Sequence, residues 1–244
     1  MDVSRLRELR SIRRDNGHVV IGGGTTIAEL LGSALIAEHG KPLQQAAGLL
    51  GNPLVRNRAT VAGNLTNASP AADTAPPLYA LSAEVELASV RGGRWVPLEK
   101  LMVGVNQTLR EPDELLLSIR WPAPPANSAG AFYKIGLRKA DACSVINASA
   151  MVIWEDNGDS SQVRIAIGAA APHPVRARSA EGALLGRPLD ANVIKEAAQL
   201  AVEATRPIDD IRGTASYRRR MAEVMVRRLL TQIAESQASR RQRS

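Results

Sequence analysis

A chain of 244 residues with 45% hydrophobic content can bury one large or two modest cores, and it has no apolar run of about 18 residues to span a membrane. One cysteine and three scattered histidines exclude an internal disulfide, a self-contained iron–sulfur cluster and a zinc site of ordinary spacing, so we expect no protein-held metal. The formal charge is +7, but residues 1–15 lack the apolar stretch of a signal peptide, and we expect a cytoplasmic protein.

The first recognisable unit is a strand, a glycine turn and a helix. A short strand at residues 19–21 runs into Gly22-Gly23-Gly24, and Thr26 and Glu29 have the spacing of a capping box. Apolar residues at helical spacing predict one helix from residue 27 to 35, ended by Gly40 and Pro42. The turn lacks the final glycine of a dinucleotide fingerprint, so we interpret it as a plain turn before a capped helix and expect no nicotinamide site.

Residues 51–73 have no helical or strand period, and a loop of this length within a compact domain is typically functional. Strands are predicted at residues 84–90 and 115–121, followed by a proline-rich connector. Beyond it, three further strands are predicted at 131–137, 143–154 and 163–168, with Cys143 as a small core residue. The predicted fold class is α+β.

Two helices are predicted to close the chain, at residues 191–204 and 215–234. From residue 211 onward the chain has nine arginines and two glutamates, a net charge of 9 − 2 = +7, so residues 1–210 have no net charge. Only 3% of the residues are aromatic, too few for stacking on bases. The basic excess therefore favours a solvated or partner-facing surface over nucleic-acid binding. Asp209, Asp210, Arg212 and Tyr217 are interpreted as an ion-paired motif that docks the last helix.

Residues 55–64 and 69–73, VRNRATVAGN and SPAAD, closely resemble the second flavin-binding segment of the FAD subunits of molybdenum hydroxylases. That family includes xanthine dehydrogenase and the aerobic carbon monoxide dehydrogenases. Residues 136–144, 207–213 and 217–219 resemble the family's small carboxy-terminal domain, so the similarity covers essentially the whole chain. The implied fold is a vanillyl-alcohol-oxidase-like (PCMH-type) flavin domain at 1–122, a linker at 123–129, a carboxy-terminal domain of three strands plus helices at 130–238 and a basic tail at 239–244.

The resemblance implies an FAD site. The segment Thr60, Val61, Ala62, Gly63 and Asn64 would line the pyrophosphate, where small residues let backbone amides approach the phosphates. Asp73 would accept a hydrogen bond from a sugar or ribitol hydroxyl. Ser69 would cap a helix with Pro70 in its first turn.

Leu116 and Lys134 match family positions near the flavin ring, although a core leucine and a solvated lysine are equally acceptable interpretations. The family usually has two adjacent glycines where this chain has Ala62 and Gly63, so a methyl group is expected in the tightest part of the phosphate cradle. Family members also begin with forty to fifty further residues, including a glycine-rich loop. We therefore expect a chain that is short at its amino terminus, through either a misplaced start or a real loss.

The resemblance further implies partners. Substrate hydroxylation would occur on a large molybdopterin subunit, and a small iron–sulfur subunit would relay electrons to the FAD of this chain, within a dimer of heterotrimers. The flavin would pass electrons to an external acceptor such as NAD, a quinone or oxygen. No catalytic acid or base is expected in this chain. The alternative is a flavin-poor structural subunit of the same complex.

Overall fold

The computed structural model describes residue 3, residues 6–139 and residues 141–241. In the first half, six short helices follow one another between the second and third strands, and the second half consists of strands followed by helices. The strands are β1 Ile12–Asp15, β2 His18–Gly22, β3 Glu84–Ser89, β4 Gly92–Pro97, β5 Met102–Gly104, β6 Gln107–Thr108, β7 Leu115–Pro122, β8 Ser128–Gly136, β9 Ser144–Trp154, β10 Ser160–Gly168 and β11 Val175–Arg176. The helices are α1 Ile27–Gly32, α2 Ala34–His39, α3 Lys41–Leu49, α4 Pro53–Arg56, α5 Val61–Thr66, α6 Ala75–Ala80, α7 Leu98–Leu101, α8 Arg178–Leu184, α9 Ala191–Ala201 and α10 Ala215–Arg241.

The first sheet is antiparallel, with strand order β1-β2-β7-β3-β4. Ile21, Val85 and Ile119 come from three adjacent strands and are each 0% exposed. They form one core with apolar residues of the helices that connect the strands. The predicted strands of this half are confirmed, and β7 is central because β2 and β3 pair with its two edges.

The predicted helix at residues 27–35 is interrupted. The capping box at its start is confirmed, because the Thr26 side chain accepts from the Glu29 amide and the Glu29 carboxylate accepts from the Thr26 amide at 2.8 Å. However, Ser33 is extended, and its side chain accepts from the Ile36 amide as the cap of a second helix. Ser33 ends one helix and starts the next because its hydroxyl competes for backbone amides. The spacing of the apolar residues does not show this break. Gly40 follows as the predicted stop.

Three other local expectations are wrong. The predicted irregular loop contains helices α4 and α5, capped by Asn52 and Thr60. No helix begins at Ser69, whose side chain accepts from the Ala71 amide in a turn, and α6 begins later, at residue 75. Cys143 is exposed, because β9 begins one residue after it.

The second sheet is also antiparallel, with strand order β11-β10-β9-β8. The three predicted strands are present, and the two-residue β11 adds a fourth along the edge of β10. Helices α8 and α10 pack on this sheet, and α9 packs against both of these helices. Ile146 and Ile165 of the sheet share one core with Leu229 of α10. Helix α10 runs on to residue 241, so the first part of the predicted basic tail is helical, and residues 242–244 lie outside the described residues.

Aspartate side chains stabilise the turn before α10 through ion pairs and a hydrogen bond. Asp210 pairs with Arg212 at 2.9 Å and also with the buried Arg218 of α10. Asp209 accepts a hydrogen bond from the Ala215 amide at the start of the helix. This arrangement confirms the predicted ion-paired motif that docks the last helix, although Tyr217 is 43% exposed and forms no part of the pairing shown here. Within the described part of the chain, no helix is long and apolar enough to cross a membrane.

Candidate cofactor site

Two backbone segments that are distant in sequence lie side by side at the end of β2. The Ile27 amide donates to the Ala59 carbonyl at 2.9 Å, and the Val61 amide donates to the Thr25 carbonyl at 3.2 Å. Thr26 and Thr60 therefore form an isolated antiparallel bridge. This pairing places the glycine turn at residues 22–24 against the start of α5, which with its N-cap Thr60 carries five of the nine residues predicted to bind the cofactor.

An open cavity of about 900 Å³ lies beside this pairing. Its size falls at the upper end of the range typical of small-molecule sites. Four of the predicted residues line it, namely Thr60, Ala62, Gly63 and Leu116. The remaining lining residues are Val3, Leu9, Arg10, Gly23, Gly24, Asn57, Arg58, Thr66, Asn67, Arg110, Glu114 and Leu115.

The glycine turn contributes to the cavity wall, although its sequence was interpreted as a plain turn. A Cβ atom added to Gly23 would lie 2.2 Å from the Leu116 carbonyl oxygen, because the turn contacts the backbone of β7. The Gly23 amide donates to the Leu117 carbonyl at 2.6 Å, and the Gly24 amide donates to the Leu9 carbonyl at 2.8 Å. The turn therefore needs glycine because the backbone of β7 lies so close to it. The run of three glycines was the sequence feature that could have indicated a place in the cavity wall.

Thr60 and Ala62 shape the cavity floor. The Thr60 hydroxyl accepts from the Gly63 amide at 3.0 Å and so caps α5. Ala62 is 8% exposed and belongs to the first core, where its Cβ would lie 3.3 Å from a Cβ added to Gly23. Ala62 also lines the cavity, so the expectation that its methyl group lies in the phosphate cradle stays a prediction.

The cavity carries an excess of positive charge. Three arginines line it, Arg10, Arg58 and Arg110, against one carboxylate, Glu114. The hydrogen bonds from Arg94, at 2.8 and 2.9 Å, and then the bond from the Glu111 amide lower the pKa of Glu114 to about 2. Glu114 is thus an ionised structural anchor. The three arginines give the cavity the donor chemistry that phosphates prefer.

Asp73 and Lys134 lie outside this cavity lining, in a buried polar network that joins the segment before α6 to β8 and β9. The Lys134 ammonium is 2.6 Å from one Asp73 oxygen, and both side chains are about 6–7% exposed. The other Asp73 oxygen accepts from the Ser144 hydroxyl at 2.6 Å and from the Asn147 amide at 2.9 Å. Asp73 is therefore buried, although it ends the predicted loop at residues 51–73, and the solvated alternative for Lys134 is wrong. Ser144 ends the segment 136–144 that resembles the family, but no contact was predicted for it, and Asn147 was not singled out.

The remaining predicted residues have other neighbours. The Asn64 side-chain oxygen accepts from the amide and the hydroxyl of Thr74, at 3.3 and 2.7 Å. Val61 is 0% exposed and packs in the first core. Ser69 closes a turn, as described above. The structure thus gathers four of the nine predicted residues at one cavity, and no cluster of three or more metal-ligating side chains occurs among the residues it describes.

The chain matches two family models. Residues 1–124 match the FAD binding domain in molybdopterin dehydrogenase, and residues 131–233 match the CO dehydrogenase flavoprotein C-terminal domain. Among curated relatives, a putative xanthine dehydrogenase FAD-binding subunit of Escherichia coli is 31% identical, covering 95% of this chain and 80% of the relative. The carbon monoxide dehydrogenase medium chain of Hydrogenophaga pseudoflava is 32% identical, covering 94% and 79%.

Solved structures agree with these matches. Carbon monoxide dehydrogenase from Hydrogenophaga pseudoflava superposes with a TM-score of 0.92 at 33% identity, covering 97% of this chain and 81% of that one. Quinoline 2-oxidoreductase from Pseudomonas putida superposes with a TM-score of 0.88 at 27% identity, with the same coverage. The chain therefore belongs to the family of FAD-binding medium subunits of xanthine dehydrogenase and carbon monoxide dehydrogenase type oxidoreductases.

Proposed function

We propose that the cavity at residues 22–24 and 60–63 binds the pyrophosphate of FAD. The observation that carries the proposal is the placement of Gly23, Gly24 and Gly63 around one cavity that three arginines also line. Backbone without side chains can approach phosphate oxygens closely, and guanidinium groups provide charge-assisted donors. The donor set present therefore fits an anionic dinucleotide, and we infer that Thr60, Ala62, Gly63 and Leu116 contact it.

The inferred role of Asp73 is compatible with its network. A carboxylate has about four lone-pair sites, and Asp73 uses three of them for Lys134, Ser144 and Asn147. One acceptor site is thus left for a sugar or ribitol hydroxyl. We propose that Lys134 fixes the position of the Asp73 carboxylate beside the flavin, while Asn64 supports this region through Thr74. Val61 and Ser69 would act by shaping the backbone on either side.

We propose that the chain acts as the electron-transferring subunit of a complex with a large molybdopterin subunit and a small iron–sulfur subunit, assembled as a dimer of heterotrimers in the cytoplasm. Bound FAD can accept electrons one at a time and deliver them to a soluble acceptor. The residues of this chain would bind and orient the flavin and exclude water from it. Family membership and the absence of any metal-ligating cluster among the described residues support assigning the other cofactors to partner subunits.

The test is the flavin content of the complex purified with its partner subunits. One FAD per copy of this chain is expected, measured by absorbance after acid release and identified by chromatography. FMN in place of FAD, or a complex that retains molybdenum without flavin, would overturn the proposal. The second outcome would instead favour the flavin-poor structural subunit.

A further inference from the structure

A second polar cleft lies between the two cores, on the face of the second sheet that is directed toward the first core. Along β10, Ile165 and Ile167 pack into the second core, whereas Ala166 between them belongs to the first. Because side chains alternate along a strand, Arg164 lies on the same face as Ala166. Arg176 pairs with Ala166 across the β10–β11 ladder and shares that face.

The cleft has a volume of about 570 Å³. Three arginines of the second half face two glutamates in it. Arg176 lies 2.5 Å from both Glu99 and Glu181, and Arg178 lies 2.5 Å from Glu99. The other lining residues are Ser82, Ser161, Gln162, Val163, Arg164, Gly182 and Leu185.

Arg164 differs from the other two arginines of the cleft because it forms no ion pair with the residues that the structure describes. Its guanidinium donates to the Gln162 side-chain oxygen at 3.2 Å. Burial and then the neighbouring Arg176 lower the pKa of Arg164 by more than Glu181 and Glu99 raise it. A half-buried cation without a close ion pair is stabilised by a bound anion.

Two hydroxyl groups beside the cleft also have no hydrogen-bond partner within the described residues. A smaller cavity of about 370 Å³ adjoins the cleft and shares Ser82 and Glu99 with it. Tyr79 lines this smaller cavity and is 2% exposed, and neither its hydroxyl nor the buried Ser82 hydroxyl is bonded. Burial and then Glu99 raise the pKa of the Tyr79 phenol, so it remains a donor. Unpaired buried donors call for an acceptor in the cavity.

We propose that this cleft is a binding site for a small hydroxylated phosphate ester. Arg164 and Arg178 would hold the phosphate group, and the organic part would extend past Ser82 to accept a hydrogen bond from Tyr79. The site is separate from the cavity proposed for FAD, since the two share no lining residue. The ligand would regulate the complex by binding between the two cores of this chain.

The test is calorimetric titration of the full chain at constant ionic strength, with inorganic phosphate and glycerol 3-phosphate as probes. Both should bind saturably, with glycerol 3-phosphate the tighter. Loss of one charge-assisted hydrogen bond corresponds to a rise in Kd of about tenfold or more, which we expect for Arg164→Gln with both probes. Tyr79→Phe should remove only the preference for the ester. Arg164→Lys, which retains the charge, should restore part of the binding.

The matched control is Arg187→Gln, since Arg187 is an arginine of the same half that does not line the cleft and whose partner Glu196 lies 2.9 Å away. It should leave both Kd values unchanged, and FAD content should be the same in all variants. The proposal is overturned if the wild type shows no saturable binding, or if Arg164→Gln binds like the wild type. It is also overturned if the assembled complex does not bind the probes, because a partner subunit would then occupy the cleft.

Discussion

Asp73 and Lys134 form a buried ion pair. The effect of removing either group on the free energy of unfolding depends on which buried groups are then left without a partner. Lys134 comes from β8, and Asp73 precedes α6, so the pair links the second sheet to the segment before α6. Ser144 and Asn147 are each 0% exposed and donate to the same carboxylate. Replacing Asp73 by an apolar residue would leave a buried ammonium and two buried donors without an acceptor, which is more costly than losing an exposed contact.

We therefore expect Asp73→Ala to destabilise the flavin-free chain by about 3–5 kcal/mol, as found when one partner of a buried ion pair is removed. Urea unfolding followed by circular dichroism would measure it. Asp113→Ala is the matched control, because Asp113 pairs with Arg91 at the surface, where such pairs contribute roughly 0–1 kcal/mol. An unchanged unfolding midpoint with reduced FAD content would show that Asp73 serves only as a ligand contact.

The lowered pKa of Glu114 predicts that the stability of the fold depends on pH. Its pKa is lowered from 4.5 to about 2 by Arg94 and the Glu111 amide, so the folded state holds this carboxylate ionised more strongly than the unfolded chain does. The resulting stabilisation is present above pH 4.5 and is lost as the pH falls toward 2. Glu114→Gln should therefore flatten the fall in Tm across this range. The control is Asp113→Asn, and equal slopes for Glu114→Gln and wild type would contradict the prediction.

Helix α5 is the element on which the proposed phosphate contacts depend, and Thr60 starts it. Thr60→Ala should cost about 1 kcal/mol, the usual effect of losing an N-cap, and should also lower FAD occupancy. Thr60→Ser should restore both. Asp190→Ala removes an equivalent cap from α9, whose amides at Asn192 and Val193 donate to Asp190. That variant should lose similar stability while retaining FAD, and a parallel loss of FAD would show that stability alone limits binding.

The elements differ in how well sequence predicts them. Long strands were predicted within a few residues because burial sets their apolar pattern, which partly alternates in β7 and is nearly continuous in β9. Helices α4 and α5 were missed because each has six residues or fewer and is defined by a capping side chain, not by an apolar period. The break at Ser33 has the same cause.

The part of the candidate site that is contiguous in sequence was predicted, and the part that the fold brings together was not. Thr60 to Gly63 are contiguous, so the motif was recognisable without the fold. Arg10, Arg110 and the glycine turn reach the same cavity only through strand pairing and the Thr26–Thr60 bridge. The Asp73 network likewise depends on β8 and β9 lying beside α6, a contact between residues about 61 to 74 positions apart. Contacts at that separation follow from topology and leave no local pattern.

At the scale of the whole molecule, the two cores interlock. Met151 and Ala166 belong to the second sheet by strand but pack in the first core. The Phe132 amide donates to the Gln45 side chain at 2.8 Å, and Arg176 of β11 pairs with Glu99 of α7 at 2.5 Å. The two sequence segments that match separate family models therefore share buried apolar surface, hydrogen bonds and ion pairs. Such a seam couples the stability of one half to that of the other.

We expect the chain to unfold in one cooperative transition, because separating the halves would expose core residues and the buried Asp73–Lys134 pair together. The chain has three tryptophans, and two of them report on different cores: Trp121 is 0% exposed in the first, and Trp154 is 3% exposed in the second. Variants that retain only Trp121 or only Trp154, with phenylalanine at the other two positions, should show coincident urea midpoints by fluorescence. Calorimetry of the wild type should give equal calorimetric and van't Hoff enthalpies. Separate midpoints for the two tryptophans in otherwise equally stable variants would show that the halves unfold independently and that the seam contributes little.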